Sequence, residues 1–207
     1  MHQSQWKDRF KAMVEKLQAD PRITVNQAEL NLPASLADIE FAKSQCMGKL
    51  PEGCQTFFES MDGLTVEWNL NESNTARHHK GSIRILPIKQ VFGNWQGATW
   101  FPEPSPGTQY QSIKPFDHFV TEACAAFKLK PQSTPESTVY FHYFGEATVN
   151  TGYSFNEYLE RLLVSKGYWY WIQSLSSETC DNPEAEKFRN AASRLFDDYD
   201  DALFAPK

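Results

Sequence analysis

Leu50-Pro51-Glu52-Gly53-Cys54-Gln55-Thr56-Phe57-Phe58-Glu59-Ser60-Met61-Asp62-Gly63 is the stretch on which the fold turns, because it reads as one complete helix followed at once by a change of period. Proline is tolerated in a first helical turn, where its missing N–H would be unpaired anyway, and Asp62-Gly63 supplies residues that accept the left-handed backbone at a helix end. Cys54, Phe57, Phe58 and Met61 fall at i, i+3, i+4 and i+7, a single apolar stripe. From Leu64 onward Leu64, Val66, Trp68 and Leu70 alternate with Thr65, Glu67 and Asn69, the pattern of a strand buried on one face.

Working upstream, Trp6, Phe10, Met13, Val14 and Leu17 repeat at helical spacing and predict an amphipathic helix over 5–18, with Pro21 just beyond it. Ser35 is placed to cap a second helix whose first turn holds Asp38 and which carries Leu36 and Ile39 inward. This helix leads into the Leu-Pro segment.

Working downstream, Asn71 to Lys80 reads as a hairpin loop, and Ile83, Ile85 and Pro87 as the inward face of the next strand, continued by Ile88 to Phe92. Asn94 to Gln111 combines three prolines with Trp95, Trp100, Phe101 and Tyr110. A loop longer than about 12 residues is often functional, so these aromatics either fold back over the sheet or meet a partner. His118 to Phe127 reads as a short helix, Lys130 to Ser137 as a connection and Thr138 to Ala147 as a strand.

Ser154-Phe155-Asn156-Glu157 is a capping box, flanked by Tyr153 and Tyr158 as a hydrophobic staple. Phe155, Tyr158, Leu159, Leu162 and Leu163 form the apolar face of that helix, and Gly167 stops it. Tyr168 to Ile172 is aromatic on both faces if it is a strand, and needs cover from the C-terminal helix or from a partner. Asn182-Pro183 starts a last helix over 183–200, with Phe188, Ala192, Leu195, Phe196 and Tyr199 on one face. Asp197, Asp198, Asp200 and Asp201 at its end oppose the helix dipole, and are either solvated or a contact for something basic.

The 207 residues, 41% hydrophobic and 14% aromatic, suffice for a sizeable core, and are read as one domain with a core of about 34–172 and the two terminal helices as appendages. A net charge of −6 with scattered Lys and Arg argues against direct nucleic-acid binding and suits a basic partner. The apolar runs are far shorter than the roughly 20 residues that span a bilayer, and the N-terminus is unlike a signal peptide. A cytoplasmic protein with reduced cysteines is expected, with Cys54 and Cys124 in the core.

No constellation for catalysis, cofactor or metal stands out. His142 and Glu146 are four apart on a predicted strand, about 13 Å along the chain, too far for a shared metal. His78-His79 sits in a polar loop. Cys124 and His118 point to different faces of the predicted helix, with no third group to orient the imidazole. Asp117, His118 and Glu146 are what an enzymatic reading would have to use.

The order Ile39, Leu50-Pro51, Phe57-Phe58, Asp62-Gly63, then Gly81-Ser82-Ile83-Arg84-Ile85-Leu86-Pro87 and Phe155-Asn156-Glu157-Tyr158-Leu159 resembles the SUKH superfamily, which includes a fungal cell-wall synthesis regulator and many bacterial immunity proteins. The resemblance spans roughly Ala34 to Trp171. Asp62 stands where Asn is more usual, Gly48 is one position closer to the Leu-Pro pair than the pattern has it, and the long loop and both terminal helices lie outside it. The resemblance implies an α+β fold with a central, mainly antiparallel sheet packed by helices. It further implies a non-catalytic domain that binds and neutralises a toxin domain or, alternatively, a housekeeping scaffold in envelope or cell-wall assembly. The candidate contact residues are Trp95, Trp100, Phe101 and Tyr110 in the loop and Asp197, Asp198, Asp200 and Asp201 at the C-terminal helix.

Overall fold

In the computed structural model, which describes residues 5–71, 79–93, 112–129 and 133–207, the protein is an α+β structure. Among the described residues it has six α-helices and a seven-stranded antiparallel sheet whose strands lie in chain order. The N-terminal stripe forms α1 (Gln5–Ala19), and Trp6, Phe10, Met13, Val14 and Leu17 are all buried.

The Leu-Pro segment is shorter as a helix than its sequence implies. α3 runs over Cys54–Ser60, and Pro51 lies in the turn before it, its carbonyl accepting from the Cys54 N–H at 3.1 Å. The stripe itself holds, with Cys54, Phe57, Phe58 and Met61 at 0% exposure. Gly63 then turns the chain at φ +85°, and a Cβ there would run into the Ile85 carbonyl oxygen, so the approach of helix end to sheet requires glycine.

β2 (Leu64–Leu70) and β3 (Lys80–Ile85) pair as a hairpin, Leu64 opposite Ile85 and Asn69 opposite Lys80. Ahead of them β1 (Ile23–Leu30) pairs antiparallel with β2, a strand the sequence reading passes over. A bulge between Val25 and Gln27 is the cause. Ile23, Val25, Ala28 and Leu30 pack toward the core, so the alternation skips a residue in the middle and never repeats long enough to be recognised.

α2 (Leu36–Gln45) starts at Ser35, whose hydroxyl accepts from the Asp38 N–H at 3.1 Å. Ile39 and Ala42 face inward, whereas Leu36 is 73% exposed, contrary to its expected place inside. Ile88–Phe92 is a short helix, α4, and not a continuation of β3.

The largest correction falls on His118 to Phe127. It is a β-hairpin made by β4 (Ile113–Val120) and β5 (Ala123–Lys128), joined by a turn at Thr121-Glu122. Ala123, Ala125 and Phe127 enter the main core while Cys124 and Ala126 join Ile113 in a second cluster, so alternate residues are apolar on both faces and the period of two vanishes from the sequence. Local alanine content favours helix, but cross-strand burial outweighs it. Pro115 is accommodated beside a register shift in β4.

β6 is confined to Tyr140–Tyr143 and β7 to Val149–Asn150. The capping box at Ser154 forms as read, the hydroxyl accepting from the Glu157 N–H while the Glu157 carboxylate accepts from the Ser154 N–H, and opens α5 (Phe155–Ser165). α6 (Pro183–Leu195) is closed by Phe196, five residues short of its expected end. All six helices contribute to one core, in which Phe116 stacks on Phe127 at 4.4 Å and meets Phe155 and Tyr158 edge-on at 5.1 Å each. No described helix is long and apolar enough to cross a membrane.

Candidate partner-binding surfaces

The acidic residues lie beyond the end of α6, which removes the conflict with its dipole, and most are already engaged. Asp198 pairs with Lys166 at 2.6 Å and with Lys16 at 3.3 Å. Burial opposes its ionisation, but Lys166 and then Lys16 outweigh that and hold its carboxyl below the usual range. Asp200 accepts from the Ala202 N–H at 3.0 Å, starting a 3₁₀ turn at Asp201–Phe204, and Asp201 accepts from the Tyr199 hydroxyl at 2.7 Å. Asp197 and Asp198 border an open cleft of about 640 Å³ with Lys16, Asp20, Arg22 and Lys166. Its charges are mixed, and among the four expected acidic residues Asp198 forms the ion pairs while Asp200 and Asp201 accept local hydrogen bonds. Trp95, Trp100, Phe101 and Tyr110 lie outside the described residues.

The residues considered for chemistry occupy dissimilar places. Asp117 is fully buried, its carboxylate accepting from the Arg84 N–H at 2.8 Å and the Tyr158 hydroxyl at 2.7 Å. Burial pushes its pKa up to about 6 against the pull of those two bonds. Glu146 is exposed in the turn after β6. Cys124 is opposite His142 on adjacent strands at 0% exposure, and burial raises its thiol pKa, which keeps it protonated and unreactive. Among the described residues no group of three His, Cys, Asp or Glu side chains is placed to hold a metal ion.

A second site arises where the sheet divides. β3 and β4 share a single register pair, Ile85 opposite Asp117, supported by the Leu86 N–H to Phe116 carbonyl bond at 2.8 Å and by the Asp117 carboxylate on Arg84. Beyond it the strands part. Gly167–Trp169 takes the edge of β3 instead: the Ser82 N–H donates to the Gly167 carbonyl at 2.8 Å and the Trp169 N–H to the Lys80 carbonyl at 3.0 Å. Gly167, at φ +67°, passes so close to Ile83 and Ser82 that a Cβ would collide with both.

Between the parted strands lies a groove of about 470 Å³. Lys80 and Ser82 line one side, Phe119 to Glu122 the other, and Trp169 closes it, with Asn26, Glu67 and Asn69 extending it across β1 and β2. Lys80 places its ammonium 3.1 Å from the centre of the Trp169 ring. Burial lowers the Lys80 pKa although Glu122 and Glu67 stand near enough to raise it. Tyr170, in the left-handed region at φ +56°, donates its hydroxyl to the Glu122 carboxylate at 2.7 Å. A non-glycine residue there costs about 1–3 kcal/mol.

The aromatic run Tyr168 to Ile172 was the sequence signal for this site, although it is not a strand. Tyr168 and Trp171 are buried, a 3₁₀ turn begins at Trp171, and Trp169 and Tyr170 remain half-exposed at the groove. Glu67, Lys80 and Glu122 carried no signal, because their association depends on where β3 and β4 separate. No protein-family model matches this sequence, and no curated protein matches it either.

Proposed function

We propose that this protein is a non-catalytic, SUKH-like binding domain that acts in the cytoplasm by occluding the active surface of a toxin domain. The observation that carries the reading is that residues of the resembling motifs, far apart in sequence, meet in space. The Asp62 carboxylate accepts from the Ile88 N–H at 2.7 Å, Gly63 packs under the Ile85 carbonyl, and Phe57 and Phe58 both contact Phe155. These contacts support a shared architecture, and the net charge of −6 supports a basic partner by raising the association rate and selecting against acidic ones.

The test is co-expression with each toxin-like gene found beside this one, scored for survival and for a co-purifying complex. Rescue with a stable complex is the expected outcome. Survival unchanged with every neighbour would overturn toxin neutralisation and move the weight to a housekeeping scaffold.

A further inference from the structure

We propose that the groove between β3 and β4 receives a basic side chain, an arginine above all, presented by an extended segment of a partner polypeptide. The proposal rests on the protein-binding reading above and assigns it a surface. Trp169 already carries an ammonium on its ring, so the aromatic wall is a working platform for cations. Glu67 and Glu122 line the same groove, and among the described residues neither forms an ion pair, Glu122 using one oxygen for the Tyr170 hydroxyl. A planar guanidinium stacked on an indole between two carboxylates satisfies both.

The backbone suits an extended segment. Phe119 and Val120 have no cross-strand partner on the β3 side among the described residues, so the β4 edge facing the groove is open to an added strand. The amides and hydroxyls of Asn69, Ser82 and Thr121 lie along its path. Lys80 is the resident cation. No hydrogen bond or ion pair among the described residues holds its ammonium, so an incoming guanidinium displaces a weakly held group.

That displacement gives the proposal a discriminating test. The isotopically labelled full chain is titrated with N-acetyl-arginine N-methylamide and, in parallel, with N-acetyl-glutamate N-methylamide, at millimolar concentrations, and amide and indole shifts are followed by NMR. The arginine compound is expected to move Lys80–Ser82, Phe119–Glu122 and the Trp169 indole N–H, and the glutamate compound to leave them. Glu122→Gln combined with Glu67→Gln should weaken arginine binding about tenfold, and Lys80→Met should tighten it about two- to fivefold. All three positions are exposed or half-exposed, and the amide spectrum reports that each variant keeps its fold.

Arginine shifts absent from the groove would overturn the proposal, as would glutamate binding there that Lys80→Met weakens. A toxin complex that forms while the groove ignores arginine would remove this surface and leave the protein-binding reading standing. Arginine binding in the groove without any toxin complex would do the reverse.

Discussion

Strands β2 and β3 bury one face, whereas β4 and β5 bury both. Val66, Trp68, Ile83 and Ile85 pack inward, while Thr65, Glu67, Asn69, Ser82 and Arg84 on the other side are exposed or half-buried. In the second hairpin Ala125 and Phe127 enter the main core, and Cys124 and Ala126, on the opposite face, are equally closed to solvent. The first hairpin was legible because water on one side imposes an alternation of polar and apolar residues. The second reads as a helix because nothing on either side requires a polar residue.

The comparison breaks most visibly under a charge on the outer face. Ala126→Asp buries an unpaired carboxylate and should cost more than about 4 kcal/mol, enough to unfold the chain in a thermal melt. Soluble, cooperatively folding Ala126→Asp protein would show that this face is not closed. Phe116→Ala, which removes the ring that meets Phe127, Phe155 and Tyr158, should cost about 3–5 kcal/mol by urea denaturation.

Asp117 sharpens the comparison at the seam between the two halves. Its folded pKa of about 6 lies above the unfolded value of 3.8, so its contribution favours folding below that lower value and is lost as pH rises through about 6. The ionised group therefore costs about 3 kcal/mol at neutral pH, an order of magnitude set by that difference. Asp117→Asn keeps an acceptor for the Arg84 N–H, and should remove the difference in stability between pH 4 and pH 7 that belongs to this group. Parallel pH profiles for variant and wild type would show that the carboxylate is not what titrates there.

Ser154→Ala, which deletes the capping box, should cost about 1 kcal/mol. At the small end, Thr65→Asp on the open face of β2 should stay within about 0.5 kcal/mol, in contrast to Ala126→Asp. Equal losses from the two aspartates would erase the distinction between the hairpins.

Legibility followed the same rule elsewhere. α1, the Ser35 cap and the α5 capping box were readable because each depends on residues within one or two turns of one another. β1 was not, since one extra residue at its bulge shifts the inward set from Ile23 and Val25 to Ala28 and Leu30. The candidate site was legible only as an aromatic run. Of the acidic residues chosen for their charge, Asp198 is paired with Lys16 and Lys166, whereas Glu67 and Glu122, which the sequence did not single out, line the groove from β2 and from the turn after β4.

Sequence by itself determined the elements whose information is local: amphipathic helices, caps, the one-sided hairpin, and glycine at the turn from helix to sheet. Only the tertiary structure decided that His118 to Phe127 is a hairpin, that the sheet divides between β3 and β4, and that Gly167–Trp169 takes the edge of β3 there. The reason is that a local pattern records how many sides of an element avoid water, but not which distant segment covers the second side. Cross-strand pairing supplies that choice, and its partners here lie tens of residues apart.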